Sequence, residues 1–403
     1  MKVLMGSESL RPPLTGIGNY TLNLLREFQT LSDIEAVDCF NGDRFSDAKE
    51  VLASMGQAPE PVLHSGSTRL WKAQLRKVLR SMPLTYRLKS TWSNTRFKRG
   101  CRSRKDFIYH EPNFILKPHD GPSVTTVHDL SFIRHPEFHP AERVAWLSRQ
   151  LPRTLDRADF VIADSEVVRA ELIEQFSVPS DRVRAIYLGA DARFMPRSAD
   201  DTVSVLSKYG LVHGRYLAFV GTIEPRKGLS VLLDAWEQLP SAVRNNWPLV
   251  IAGAPGWRNA ELMSRVMAMQ ARGDVKFLQF VSSHDLPFIY AGAATFVYPS
   301  IYEGFGLPVL EAMASGVPVI CGLGTSMAEF AEGACKLFQV GDSQALALAI
   351  SELLEDPTQN AQMAHFGTVQ ANRFSWARCA RETIQVYVEA GKNHSQGSYD
   401  ETR

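Results

Sequence analysis

Between residues 216 and 354 the chain alternates short apolar, β-branched runs with stretches of helical period, and that alternation admits few folds. The runs at 216–221, 249–253, 275–280, 295–298 and 317–320 have the length of single strands and little polar alternation, as strands buried on both faces do. Segments 229–239, 260–272, 285–292, 308–315 and 343–354 carry the spacing of helices. Strand and helix in regular succession predict a parallel sheet with crossover helices on both faces, a doubly wound α/β unit.

The first half alternates less cleanly, with strands at 3–5, 36–40, 107–109, 123–127 and 160–163 and helices at 20–28, 141–155 and 166–176. At 403 residues the chain exceeds one ordinary core and suits two domains of roughly 180–200 residues each. The polar stretch 192–202 (ARFMPRSADDT) reads as the linker. It divides the chain into 1–198 and 199–370, followed by a terminal segment 371–391 and a polar tail 392–403. In open α/β sheets ligands gather beyond the carboxyl ends of the strands, so two facing units create a cleft lined by both sets of loops.

Composition excludes several classes. No apolar run reaches membrane-spanning length, and the start Met1-Lys2-Val3-Leu4-Met5 enters a strand pattern directly, which predicts a chain kept in the cytosol. Five scattered cysteines without a Cys-x-x-Cys pair predict reduced thiols. The net charge of +1 hides an asymmetry: residues 61–105 hold thirteen Lys or Arg and no Asp or Glu. Setting those thirteen aside leaves 31 basic against 43 acidic residues, so the rest of the chain stands at −12. The segment is built to meet something anionic. Its cations are interleaved with Leu70, Trp71, Leu75, Leu79, Leu84, Tyr86, Leu88 and Trp92, the mixture of an amphipathic helix at a lipid interface; an ordinary solvated helix and a nucleic-acid patch are the rival readings.

The most specific motif is Ile301-Tyr302-Glu303-Gly304-Phe305-Gly306-Leu307-Pro308-Val309-Leu310-Glu311. Pro308 suits a first helical turn, while Gly304 and Gly306 expose amides ahead of a helix N-terminus, where a phosphate is at home. Glu303 and Glu311 can each accept from hydroxyls of one ligand; by themselves they also fit carboxylates serving a helix dipole. Gly221-Thr222-Ile223-Glu224-Pro225-Arg226-Lys227-Gly228 follows a strand and precedes a helix, so Arg226 and Lys227 sit where a pyrophosphate needs two cations. Gly16 and Gly18, in Thr15-Gly16-Ile17-Gly18, permit close backbone approach of a ligand or simply form a turn. His128-Asp129 closes the strand at 123–127, where a histidine is more often structural than a ligand contact.

These segments resemble the retaining family 4 glycosyltransferases, whose Glu-x7-Glu motif matches Glu303 and Glu311; the resemblance runs from the first strand to about residue 390. It implies the GT-B fold, two Rossmann-like doubly wound domains facing across a cleft, with 1–198 on the acceptor side, 199–370 binding the donor, and 375–390 crossing back to the first domain. By the same resemblance Glu303 contacts the donor sugar and Glu311 the ribose. Arg226 and Lys227 hold the diphosphate, while Gly16, Gly18, Gly221, Gly304, Phe305, Gly306 and Leu307 line the donor site. His128 stands close to the donor sugar, making His128, Glu303, Arg226 and Lys227 the catalytic set. Thr222 stands where some members have an Arg, leaving the phosphates to the remaining pair. The segment from His110 to Asn113 falls on the acceptor side, Ser165 is a helix cap or a ligand contact, and Glu329 is a binding residue or only a helix carboxylate.

The reaction implied is transfer of a sugar, mannose or rhamnose favoured, from a GDP-sugar to a glycan or lipid-diphosphate-linked acceptor in surface-polysaccharide synthesis. It would proceed with retention, without a cofactor, at an inner membrane face met through residues 61–105. No Asp-x-Asp occurs, which fits a metal-independent enzyme with protein cations in place of a divalent ion. Nucleic acid is not an expected partner. The same fold hosts sugar-nucleotide 2-epimerases and sugar phosphorylases, and a sugar-nucleotide sensor or assembly scaffold is the non-enzyme alternative.

Overall fold

The computed structural model describes residues 1–11, 14–57, 83–256 and 259–400. Two sheets organise them. The first contains β1 (Lys2–Gly6), β2 (Ala36–Phe40), β3 (Phe45–Asp47), β4 (Ile108–Glu111), β5 (Ser123–Val127), β6 (Phe160–Ala163) and β7 (Val183–Ala185). They lie in the order β3-β2-β1-β4-β5-β6-β7, parallel throughout except for the antiparallel edge pair β2/β3. The second contains β8 (Leu217–Val220), β9 (Leu249–Ala252), β10 (Val275–Gln279), β11 (Thr295–Tyr298), β12 (Val319–Gly322) and β13 (Lys336–Phe338), in the order β10-β9-β8-β11-β12-β13. The fold is thus two Rossmann-like units. The strand order reverses between β1 and β4 in one sheet and between β8 and β11 in the other, and these are the points where such sheets open a crevice.

The continuous apolar runs are buried on both faces. Every residue of β6 (FVIA), β9 (LVIA) and β11 (TFVY) is buried. The three-residue strands β3, β7 and β13 escape a reading by pattern because they are too short to show a period.

Two segments read from composition take a definite form. The last residues of the polar stretch read as a linker open a helix: Ser198 caps the helix Ala199–Leu206 by accepting from Asp201 N at 3.2 Å, and Asp201 Oδ2 accepts from Ser198 N at 3.0 Å. This reciprocal capping box consists of small polar residues, which is why it looked like loop. The tail expected from 392 is helical through Asp400, within the helix Trp376–Asp400.

That last helix returns to the first sheet, packing on the helix Gly16–Phe28 and on β4, β5 and β6. Tyr387 OH bonds His110 Nδ1 at 2.6 Å, and Arg184 pairs with Glu389 at 2.7 Å. The chain therefore crosses between the two units twice. The crossings lie side by side, with Ala190 bridged to Ser375 and Gly189 against the backbone of Ser375 and Trp376.

All five cysteines are free. Among the described residues no helix is long and apolar enough to cross a membrane. Of the basic segment, residues 61–82 lie outside the described residues; the remainder includes the helix Pro83–Gly100. Phe97 pins that helix to the core against Phe40, Phe45 and Tyr109, while Trp92 is half exposed beneath the Arg96 guanidinium. Lys98, Arg99, Arg102 and Lys105 are exposed.

Candidate functional site

The chain leaves β8 into the turn Pro225–Lys227 and leaves β11 into the loop 299–306, so both loops rise at the switch point of the second sheet. They are stitched together: Ile301 N and Ser300 Oγ donate to Arg226 O at 2.9 and 3.2 Å. Gly228, at φ 67°, leaves no room for a side chain against the Pro299 carbonyl.

Within this frame Lys227 Nζ donates to Glu303 Oε1 at 2.6 Å, and the same oxygen accepts from Ser300 Oγ at 2.6 Å and Tyr298 OH at 3.0 Å. Arg226 lies 3.2 Å from Glu224, 3.6 Å from Asp129 and 3.8 Å from Glu303, and donates to Tyr302 O at 3.0 Å. Its Nε is buried with no acceptor among the described residues.

Burial disfavours the Glu303 charge, but Lys227 and Arg226 more than offset this and hold the carboxyl below its ordinary value. Burial and neighbouring Arg226 pull Lys227 the other way, below an ordinary lysine. The carboxylate is the better-satisfied partner, because three donors converge on one of its oxygens.

Asp129 belongs to the first unit. It follows β5, accepts from Ser131 N and Oγ at 2.9 and 2.6 Å, and is held at about 2: burial works against its charge, while Arg226 and Ser131 override that. Tyr302, from the second unit, accepts from Leu130 N at 3.0 Å and donates to Glu171. Gly304 fits directly against the His128 carbonyl, and a Cβ there would overlap the oxygen. The strand ends of the two sheets thus meet face to face.

His128 is brought to this seam, but its ring turns inward. Nδ1 lies 2.7 Å from Asp164 Oδ2 and Nε2 lies 2.7 Å from Pro112 O. A carbonyl only accepts, so Nε2 carries a proton. Burial lowers the histidine, but Asp164 outweighs it and the net shift is upward. Asp164 is itself raised by burial.

Other expected residues sort differently. Gly16 and Gly18 lie in the first turn of the helix Gly16–Phe28 instead of a loop. A Cβ on Gly18 would come 2.7 Å from Ser9 O, so this glycine permits helix packing. Gly221 lies under Tyr298, and Gly306, at φ 104°, caps the helix Leu307–Ala314 where only glycine clears Met327. Phe305 is buried against Phe330, with Tyr187 and Phe374 beyond. Leu307 opens the helix and is partly buried.

Glu311 lies inside the helix Leu307–Ala314, and among the described residues no hydrogen bond or ion pair joins it to Arg226, Lys227 or Glu303. Burial pushes it up to about 7, with Tyr290, Asp191 and Arg193 as neighbours.

His110 is fully buried between Tyr387 and Thr126 and pushed down to about 3 by burial, a structural tie to the last helix. Next to it, Glu111 is pushed up to about 7 by burial; it accepts from Tyr109 OH at 2.7 Å over Gly6, at the switch point of the first sheet. Ser165 caps the helix Glu166–Phe176, accepting from Val168 N at 3.2 Å. Asp129, Glu224, Tyr298, Ser300, Tyr302 and Glu171 were given no role by sequence; a polar residue one or two positions past a strand end was the available signal for Asp129 and Ser300.

Two doubly wound sheets meeting through their strand-end loops, with paired cations at the switch point of the second, define a glycosyltransferase of GT-B architecture. Residues 14–194 match Glycosyltransferase Family 4, and residues 208–369 match Glycosyl transferases group 1. Over 387 residues the chain is 36% identical to the O-antigen chain mannosyltransferase B of Escherichia coli, covering 96% of this chain and 99% of that one. In fold it is similar to the Anabaena protein HepE solved with UDP and glucose, at a TM-score of 0.67 and 20% identity over 96% of this chain and 98% of the other. It is also similar to WaaG, a glycosyltransferase involved in lipopolysaccharide biosynthesis, at a TM-score of 0.70 and 13% identity over 96% and 99% of the two chains. The chain belongs to the family 4 glycosyltransferases.

Proposed function

We propose that this glycosyltransferase moves mannose from GDP-mannose to a growing glycan or lipid-linked glycan in surface-polysaccharide synthesis, with retention of configuration and without a metal ion. Residues 199–370 bind the donor and residues 1–198 the acceptor. The sugar is suggested by the mannosyltransferase name of the Escherichia coli relative.

The observation that carries the chemistry is the buried Lys227–Glu303–Arg226 cluster at the β8/β11 switch point. Cleaving the bond between the sugar and the diphosphate leaves positive charge on the ring and negative charge on the departing phosphate. Arg226 and Lys227 stabilise that leaving group electrostatically, the role a divalent cation fills elsewhere. The unused Nε of Arg226 is a donor ready for a phosphate oxygen. Drawing Lys227 onto the diphosphate frees Glu303 for the sugar hydroxyls. Glu311 serves the ribose, entering from the Tyr290 side. His128, held by Asp164 and Pro112, orients the sugar end through its fixed backbone and has no base role to perform. The exposed Lys98, Arg99, Arg102 and Lys105, with Trp92 half exposed on the same segment, support peripheral attachment to an anionic membrane on the cytoplasmic side.

The test is calorimetry with GDP, UDP, dTDP and ADP on wild type, Arg226→Ala and Lys227→Ala. Charged hydrogen bonds are worth about 1.5–3 kcal/mol, so loss of either cation is expected to weaken nucleoside diphosphate binding about tenfold or more. Unchanged affinity in both variants refutes the donor assignment.

A further inference from the structure

Glu329 stands apart from the cation cluster, on the short helix Ala328–Ala331 of the second unit, and its carboxylate reaches into the first. Its Oε2 accepts from Glu166 N at 3.0 Å and its Oε1 from Val167 N at 2.8 Å. Tyr187 OH donates to Oε2 at 2.9 Å. Glu166 and Val167 are the first two residues of the helix Glu166–Phe176, and the third amide, of Val168, is taken by Ser165. A helix leaves its leading amides unpaired and its N-terminus partly positive. Here two of those amides are satisfied by a carboxylate from across the cleft, a pairing that separation of the units breaks all at once.

The contact is wired to the reacting groups on both sides. Two residues from the start of Glu329's helix, Ser326 Oγ donates to Glu303 O at 2.7 Å and to Phe305 O at 3.3 Å, and Met327 packs on Gly306. On the other side the capped helix is preceded by Asp164, which holds His128. We propose that Glu329 is a positioning residue for transfer: a closed-state latch that brings the Glu303 loop into register with His128 by docking on the N-terminus of the helix Glu166–Phe176. Its effect on turnover rests on the donor site described above, whereas its structural signature does not.

The experiment compares wild type with Glu329→Ala, Glu329→Gln and, as a control on the same surface, exposed Glu332→Ala. Amide exchange at Glu166 and Val167 is read by NMR or mass spectrometry, domain separation by small-angle X-ray scattering, and function by donor and acceptor kinetics beside calorimetry with GDP. For Glu329→Ala we expect exchange at those amides to rise about tenfold, scattering to broaden toward an open form, and kcat/KM to fall about tenfold. GDP affinity should stay within about twofold, because the diphosphate contacts lie in the second unit. Glu329→Gln retains one accepting oxygen and is expected to fall between, and Glu332→Ala to match wild type. Unchanged exchange and scattering in Glu329→Ala overturns the latch. So does a loss of GDP affinity equal to the loss of turnover, which marks local damage to the donor loop. If wild type transfers no sugar from any nucleotide donor while exchange and scattering respond as described, the latch stands and the substrate reading falls.

Discussion

Replacing Glu303 by Gln separates two roles that one carboxylate combines. Glu303 Oε1 takes Lys227, Ser300 and Tyr298 at 2.6, 2.6 and 3.0 Å. Around it the cations Arg226 and Lys227 face three carboxylates, Glu303, Glu224 and Asp129. A nucleoside diphosphate entering this cluster meets a carboxylate of its own sign and must draw Lys227 away from it. Two like charges about 6 Å apart in a medium of dielectric constant about 20 repel by roughly 3 kcal/mol. Screening by water and ions reduces the benefit of removing one of them to about 1–2 kcal/mol. The amide keeps the shape of the side chain and can still accept from Ser300 and Tyr298. Affinity for GDP is therefore expected to rise about fivefold to thirtyfold in Glu303→Gln. Transfer from the intact donor is expected to fall about a hundredfold, because the charged acceptor for the sugar is gone. Calorimetry at one fixed ionic strength reads the first effect and single-turnover transfer the second. Weaker or unchanged GDP binding refutes the exchange of Lys227 between Glu303 and phosphate.

Three further predictions follow from contacts elsewhere. Gly304→Ala places a Cβ on the His128 carbonyl and wedges the units apart; kcat/KM is expected to drop by about tenfold or more with GDP affinity little changed, and normal turnover would mean the two loops need not touch. Glu111, raised to about 7 by burial, binds its proton more tightly folded than unfolded, so its contribution is fully present below about pH 4.5 and is lost as pH rises toward 7. Glu111→Gln is accordingly expected to match wild type in unfolding at about pH 4 but to gain up to about 3 kcal/mol at about pH 8, and an equal difference at both pH values refutes this. Reversing Lys98, Arg99, Arg102 and Lys105 to Glu is expected to remove salt-sensitive co-sedimentation with anionic vesicles, each cation being worth about 1 kcal/mol at such a surface; equal sedimentation of the two proteins discards membrane attachment through this segment.

What could be read from sequence was what is local. The strands β5, β6, β8 and β11 are apolar runs bounded by turn residues, so the loops beyond them were legible, and with them the position of Arg226, Lys227 and Glu303 past strand ends. The seam was not. Asp129 on Arg226, Tyr302 on Glu171 and Glu329 on the amides of Glu166 and Val167 join positions more than 90 residues apart, and no period records which residues meet when two units dock. Short-range spacing recorded less than the fold does. Glu303 lies in the loop before the helix Leu307–Ala314 and Glu311 inside it, as their eight-position spacing suggests, but the Tyr290 neighbour of Glu311 left no mark in the sequence. Gly18 looked like part of a loop because glycine is rare inside helices, and here the demand for a close approach to Ser9 outweighs propensity.

The return of the last helix to the first sheet also governs how the molecule is made. The second unit is in effect inserted into the first, so the amino-terminal half cannot complete its interior until the helix Trp376–Asp400 has left the ribosome. Until then the face that receives Tyr387 stays open, with Phe28 uncovered and the Nδ1 of His110 without its hydroxyl partner. The inserted unit can fold as it emerges, while its predecessor waits half-built. Exchange of the second unit between relatives by recombination must accordingly cut the gene in two places, since a single junction would leave the amino-terminal half closed by a foreign helix.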